Sequence, residues 1–450
     1  MNHEIIYEKS SPMKLFFIVG IPSIISMLMS SFYVIVDGVF VGQLMGGQAL
    51  AAVNIVMPFV IIGFSIGDLI GVGSSVPIAI HLGEKDNKTA NQIFSLSCCL
   101  IMGTGIITGA FFLLFAEDLL RLMGANEELL SLSIQYLTPY AILAPFLSIF
   151  FAVDNYLRIC GKIKYSMWIN ITMAIEGIFL EWLFLYVFDW GIWAASLAFS
   201  ISMIISTIAA FYPFFRNKLL LKFVIPKGSL KLIGRIFACG SPALINSISG
   251  RVAALLINAM LLRRGGDMAV AAYSVVLYID SIIHSLLYGL SDSLQPAIGY
   301  NYGAKNKKRI YEIMKICYVA SFLISMGMML WLTFGGRQAI LLFVKSEDRE
   351  LVKLSLHAMK LFSITFIVRW FASATQSYFT AINRPGYAIG ISTTMTFVFP
   401  VILLMFLPNI LGLDGIWLTT PIATIGATVL AIFFLIRDKM SHLKKCNSVE

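Results

Sequence analysis

The sequence is short of charge. Only 13% of its 450 residues are Asp, Glu, Lys or Arg, where a soluble domain carries about 25%. That scarcity excludes an ordinary water-soluble fold before any motif is read. Covalent chemistry is missing too. There is no nucleophile–base–oxyanion arrangement, no HExxH and no Walker motif, so neither an enzyme nor ATP-driven work is expected. The six cysteines, Cys98, Cys99, Cys160, Cys239, Cys317 and Cys446, form no CxxC pair and no His/Cys cluster with metal spacing. This excludes a disulfide frame and a zinc site, and no cofactor is expected. Nor is a cleavable leader: residues 1–13 are polar, but the apolar run after them is too long for a signal peptide and more spans follow.

What is present is apolar, at 58% of residues. Apolar runs fall at 14–40, 50–82, 90–116, 129–154, 163–187 and 191–213, then at 232–262, 268–302, 311–335, 350–382, 386–408 and 414–436. Each is long enough to cross a bilayer, which takes about 20 residues. Backbone groups in lipid must be satisfied within the segment, so the runs are helices. The expected fold is an all-α integral membrane protein of twelve transmembrane helices, kinked at Pro22, Pro58, Pro77, Pro242, Pro296 and Pro400.

The net charge of +9 does not point to nucleic acid, because the cations sit in short loops between apolar runs. They report topology instead. With the amino terminus in the cytoplasm, cytoplasmic segments hold about 23 of the 33 Lys and Arg residues. Both termini are therefore expected inside. Arg263 and Arg264 dissent, landing outside.

An internal repeat organises the chain. At an offset near 220, Gly20-Ile21-Pro22 faces Gly240-Ser241-Pro242, and Gly46-Gly47 faces Gly265-Gly266. The stretch 80–86 faces 300–306, and Gly191-Ile192-Trp193 faces Gly415-Ile416-Trp417. Each half holds an even number of spans, so both lie the same way up, related by an axis along the membrane normal. The expected division is an amino-terminal lobe 1–213, a cytoplasmic linker 214–231, a carboxy-terminal lobe 232–436 and a cytoplasmic tail 437–450. Lobes of this kind imply a central cleft and rocking alternating access.

Ionisable groups inside spans are costly and mark function by default. Seven acids fall there: Asp37, Asp68, Asp154, Glu176, Glu181, Asp280 and Asp292. Ser23, Ser26, Ser30, Tyr33 and Asp37 follow spacings of 3, 4, 3 and 4, which puts them on one helix face. Such a stripe suits a wet cavity, where Asp37 can load and release a proton or ligate a cation such as Na⁺. The bland alternative is an Asp solvated at the outer end of the span. Glu181 lies mid-span, about 140° around the helix from Glu176. It is either a cavity acid or a helix–helix contact. Asp280, His284, Tyr288 and Asp292 recur every four residues. This second stripe either lines a cavity or pairs with the span cations Arg251, Lys360 and Arg369. Asp68 and Asp154 read as packing or interface acids. Gly63, Gly67 and Gly71 form a GxxxGxxxG run, the mark of close helix packing.

Several stretches together resemble the MATE family (multidrug and toxic compound extrusion). They are Asp37-Gly38-Val39-Phe40-Val41-Gly42, then 79–86, Leu157-Arg158-Ile159-Cys160-Gly161-Lys162, and 296–304. The likeness covers about 12–436 and is nearest the MepA-type branch, beside the DinF group. It implies two pseudo-symmetric six-helix lobes and antiport of a cationic amphipathic compound against H⁺ or Na⁺. It implies a monomer in the cell membrane, surrounded by lipid. Asp37 matches the acid of the family's first helix. The fifth-helix pattern Asn-x-x-Leu-Asp falls on 177–181, so Glu181 replaces Asp and Gly177 replaces Asn. No acid stands between Arg251 and Asn258, where some branches carry one, while Asp292 matches an eighth-helix acid of the nearest branch.

The ion-coupling residues implied are Asp37 and Glu181. Ser30, Tyr33, Arg251, Asp280, His284, Tyr288, Asp292 and Arg369 are candidates for the substrate cleft. Two rivals stand beside the exporter. A flippase or exporter of a lipid-linked precursor or natural product needs exposed cations, and Arg251 and Arg369 could supply them. A non-transporting scaffold or receptor lacks any soluble domain to support it.

Overall fold

The computed structural model describes residues 5–123, 125–216, 218–226, 230–344 and 348–447. Among them there is helix and no strand. The helices are α1 (Pro12–Phe40), α2 (Gly46–Gly83), α3 (Asn87–Leu122), α4 (Glu127–Ile159), α5 (Ile163–Trp182), α6 (Ile192–Phe215), α7 (Leu230–Ser293) and α8 (Gln295–Gly303). There follow α9 (Lys307–Leu341), α10 (Arg349–Phe362), α11 (Thr365–Ala381), α12 (Pro385–Thr393), α13 (Phe399–Leu411), α14 (Leu413–Trp417) and α15 (Thr419–Asn447).

Ten helical runs among the described residues are long and apolar enough to cross a membrane. One of them, Leu230–Gly303, is 74 residues long and breaks at Gly266, whose φ is 64°. Unbroken it would measure about 110 Å, against about 30 Å of hydrocarbon. The break makes it two spans. The pair α10 and α11, bent by 48°, makes one more. The total is the expected twelve, an all-helical membrane fold of two six-span halves.

The chain divides into two compact units. The first comprises Met1–Leu244 with Pro296–Ile310, the second Ile245–Gln295 with Tyr311–Glu450. In the first, α4 packs on α2, α3 and α6, while α1 lies along α5. The GxxxG run makes the α2–α4 approach possible: a Cβ on Gly67 would stand 2.9 Å from Ser148, and one on Gly71 3.0 Å from Ala152 Cα. After α6 the chain runs extended and is stitched to α3, with Lys222 N–H donating to Asn91 Oδ1 and Val224 N–H to Ser95 Oγ, each at 2.9 Å. The second unit is built on a core of Ile257, Leu261, Tyr273, Phe362, Phe366 and Trp417. Many exposed side chains, among them Ile107, Leu114, Leu255 and Ile410, are apolar, as lipid-facing positions must be.

Three short π-helical segments interrupt the regular helices: Val41–Met45, Leu183–Val187 and Thr394–Val398. Such wide turns mark functional stretches more often than chance. Two of them follow within a few residues of Asp37 and Glu181.

Candidate ion and substrate site

The polar stripe on α1 faces the interior of the first unit. Ser23, Ser26, Tyr33 and Asp37 are all buried, Asp37 at 3% exposure. The serines make local bonds first: Ser26 donates to the Pro22 carbonyl at 3.0 Å and Ser30 to the Ser26 carbonyl at 3.2 Å. Tyr33 and Asp37, one turn apart, are left to face α5.

Gly177 decides how they do so. A Cβ at that position would stand 2.8 Å from Tyr33 Cε2 and 3.2 Å from Ser202 Oγ. The tyrosine ring therefore rests over α5 where a side chain would otherwise project. One turn further along α5 is Glu181, fully buried. Its carboxyl faces both the Asp37 carboxyl and the Tyr33 hydroxyl. Two carboxyl groups can hydrogen-bond directly only when one of them holds a proton. Tyr33 Oη and both Glu181 oxygens lack a well-aligned hydrogen-bond partner among the described residues. Unpaired buried groups are costly, and several of those in the first unit gather in this cluster.

Aromatic rings wall the acids. Phe199 from α6 lies 4.9 Å from Tyr33 and 6.0 Å from Tyr140 of α4. Tyr136 sits 5.6 Å from Tyr140, and Phe64 of α2 6.1 Å from it. Ring faces beside carboxylates favour cations. Nothing in the sequence singled these rings out, although Tyr136 and Tyr140 stand four apart on one face of α4. Glu176 is not among the residues facing the acid pair, in keeping with its angle around α5.

The second stripe divides instead of converging. Asp280 pairs with Arg369 at 2.5 Å, and the guanidinium lies over the Phe362 and Phe366 rings at 5.9 and 5.7 Å. His284 stacks on Tyr288 at 5.5 Å. Asp292 accepts from Gln295 at 2.6 Å and from the Ser377 hydroxyl. Arg251 is exposed, and no ion pair or hydrogen bond is made by its side chain among the described residues. Removing one partner of a buried pair strands the other charge and costs about 3–5 kcal/mol. Arg369→Ala is therefore expected to lower the thermal stability of the purified protein sharply. Adding Asp280→Ala to it should restore part of the loss. A double variant no more stable than Arg369→Ala would remove the pair from the account.

Twelve spans among the described residues, buried acids beside aromatic rings and an internal repeat define a multi-pass membrane protein of the transporter class. The family described as MatE matches residues 22–183 and 242–406. The chain belongs to the MatE family. Among its relatives are the multidrug export protein MepA of Staphylococcus aureus, 25% identical over 444 residues, and MepA of Staphylococcus saprophyticus, 26% identical over 443. Each alignment covers 97% of this chain and 96% of the relative. The fold matches an outward-facing multidrug resistance MATE family transporter of the MOP superfamily with a TM-score of 0.91 at 23% identity, over 97% and 98% of the two chains. It matches a MOP superfamily transporter from Pyrococcus furiosus, described as having reverse polarity of its binding pocket, with a TM-score of 0.89 at 23% identity, over 98% of each.

Proposed function

We propose that this chain exports amphipathic, predominantly cationic organic compounds by antiport, with alternating access. Asp37 and Glu181 bind the coupling ion in the amino-terminal half. The protein works in the cell membrane with both termini in the cytoplasm. The observation that carries this reading is the buried Asp37–Glu181 carboxyl pair, with the Tyr33 hydroxyl beside it. Two neighbouring buried carboxyl groups repel when both are ionised and are relieved by one proton, which favours H⁺ over Na⁺ as the coupling ion. The names of the Staphylococcus relatives support multidrug export. Cation preference is supported by the rings of Tyr33, Tyr136, Tyr140 and Phe199 around the acids.

The test is transport of a fluorescent organic cation in proteoliposomes under two separate gradients. An imposed pH gradient is expected to drive uptake or efflux against the cation's own gradient. A sodium gradient at equal pH is expected to drive none. Sodium-driven transport without a pH gradient would overturn the choice of ion.

One observation favours a second reading, export or flipping of an anionic lipid-linked precursor. Arg251 is an exposed cation on a spanning helix, and the Pyrococcus neighbour is described by a reversed pocket polarity. Against it, Arg369 is neutralised by Asp280. Of these two span arginines, only Arg251 is without an acidic partner among the described residues, where a pyrophosphate needs several cations.

A further inference from the structure

A second buried polar cluster in the first unit lies apart from the acid pair. Arg158, 7% exposed at the end of α4, pairs through Nη2 with Asp154 Oδ2 at 2.7 Å. Asp154 Oδ1 also accepts from the Ser166 hydroxyl at 2.5 Å and from Asn170 Nδ2 at 2.9 Å. The guanidinium is thereby held, and its other edge reaches out. Nη1 donates to Ser23 Oγ at 3.2 Å and Nε to Ser166 Oγ at 3.3 Å. Ser23 immediately follows Pro22, the one proline inside α1.

The backbone of Arg158 holds something else. Its carbonyl accepts a hydrogen bond from the Tyr7 hydroxyl. Tyr7 belongs to a short π-helical strap, Ile5–Lys9, that precedes α1. The strap is not loose chain: Ile6 and Tyr7 are 2% and 1% exposed. Burial pushes the Tyr7 hydroxyl above the ordinary phenol range, so it stays a donor. The Tyr7 carbonyl accepts from Asn301 Nδ2 at 3.1 Å and from Arg309 Nε at 2.8 Å. Arg309 Nη2 donates to the Ser10 carbonyl, and the Tyr300 hydroxyl to Glu8 at 3.3 Å. All of these residues lie in the first unit. The strap thus ties the end of α4 to the α8–α9 turn, across the end of the unit that carries the basic loops.

We propose that Arg158 is a positioning residue for transport: its side chain holds α1 at Ser23 and its backbone carbonyl holds the preceding strap at Tyr7, and together they latch the basic end of the first unit shut. Opening that end requires the strap to leave Arg158 and Arg309 together. Several modest hydrogen bonds are well suited to this, since each is worth little alone and they break as a set. The proposal rests on the transport reading only for its purpose; the contacts stand without it.

Cys160 offers a native reporter. It is 4% exposed and lies beside Tyr7. The full chain in everted vesicles is treated with N-ethylmaleimide, and labelling is followed at each cysteine by peptide mass spectrometry. Three variants are compared with the unaltered protein. Tyr7→Phe keeps the ring and loses one bond, Arg309→Lys loses the fork, and Arg158→Lys keeps the Asp154 pair but loses Ser23. Tyr7→Phe is expected to speed Cys160 labelling about five-fold, the loss of one net hydrogen bond. Arg309→Lys should speed it further. Turnover per folded molecule, counted by size-exclusion chromatography, is expected to change in all three while the substrate KM stays constant; simple destabilisation lowers only the number of folded molecules. Cys317, buried in the second unit, stays unlabelled wherever the fold is intact. Unchanged Cys160 labelling in Tyr7→Phe and Arg309→Lys overturns the latch. So does faster labelling with unaltered turnover. Transport absent from every protein, the unaltered chain included, counts against the exporter reading instead, and the labelling then decides the latch alone.

Discussion

Asp37→Asn is expected to leave the protein folded in the membrane and to reduce ion-driven efflux to the level of empty vesicles. The substitution keeps the shape of the side chain and removes its titration. Asp37 is buried at 3% exposure and faces Glu181, so an amide there can still hydrogen-bond to the remaining carboxyl. Stability should therefore change little. Coupling should be lost completely, because a site that cannot exchange its ion cannot be shifted by a gradient. Glu181→Gln should be as severe if the two acids act as one site, and milder if Asp37 alone carries the ion. Everted vesicles read the export as gradient-driven uptake of an external fluorescent cation, and size-exclusion chromatography reads the fold. Coupled transport by Asp37→Asn at the rate of the unaltered chain would remove Asp37 from the mechanism.

Gly83→Ala and Gly303→Ala are expected to be among the most disruptive single methyl additions in the first unit. A Cβ on Gly83 would stand 2.0 Å from the Tyr300 carbonyl oxygen, and one on Gly303 2.0 Å from the Ile80 carbonyl oxygen. Both obstacles are backbone, which cannot rotate away. The ends of α2 and α8 would have to part by more than an ångström. Losses above about 4 kcal/mol belong to this kind of defect. Each variant should show a much lower midpoint of thermal unfolding and no net transport. Gly103→Ala is the control: nothing lies within 4 Å of its added methyl, and an effect within about 0.5 kcal/mol is expected. A Gly303→Ala protein as stable as the control would mean that these helix ends do not touch as described.

The two glycine contacts also explain why so much of the fold was legible. Gly83 and Gly303 are 220 apart, as are Ile80 and Tyr300, so the repeat read in the sequence places one contact twice. Twelve spans were legible for a plainer reason: lipid allows few alternatives to a helix. The predicted break near 263–267 fell where Gly266 turns the chain. Side-chain partnerships were less legible. Asp280 and Arg369 are 89 positions apart, and no periodicity on either helix specifies their meeting. The even spacing of Asp280, His284, Tyr288 and Asp292 suggested one shared face, but a long helix offers that face to different neighbours along its length. Tyr33 and Asp37 were visible because a polar stripe stands out on an apolar helix. Tyr136, Tyr140 and Phe199 were hidden because aromatics are common here, with 34 Phe and 17 Tyr. Residues 1–13 read as a polar lead-in, which concealed that Ile6 and Tyr7 are core residues.

The stretch Pro296–Ile310 belongs to the first unit, and this bears on how the protein is made. Synthesis runs from the amino terminus, so six spans can enter the bilayer before the second half emerges. Yet the first unit is not finished until residue 310 of 450 has left the ribosome. Until then Tyr7 has only the Arg158 carbonyl to hold, while Asn301 and Arg309 are still unmade or in the exit tunnel. The strap Ile5–Lys9 is made before every helix it is tied to and is among the last segments of the unit to find its place.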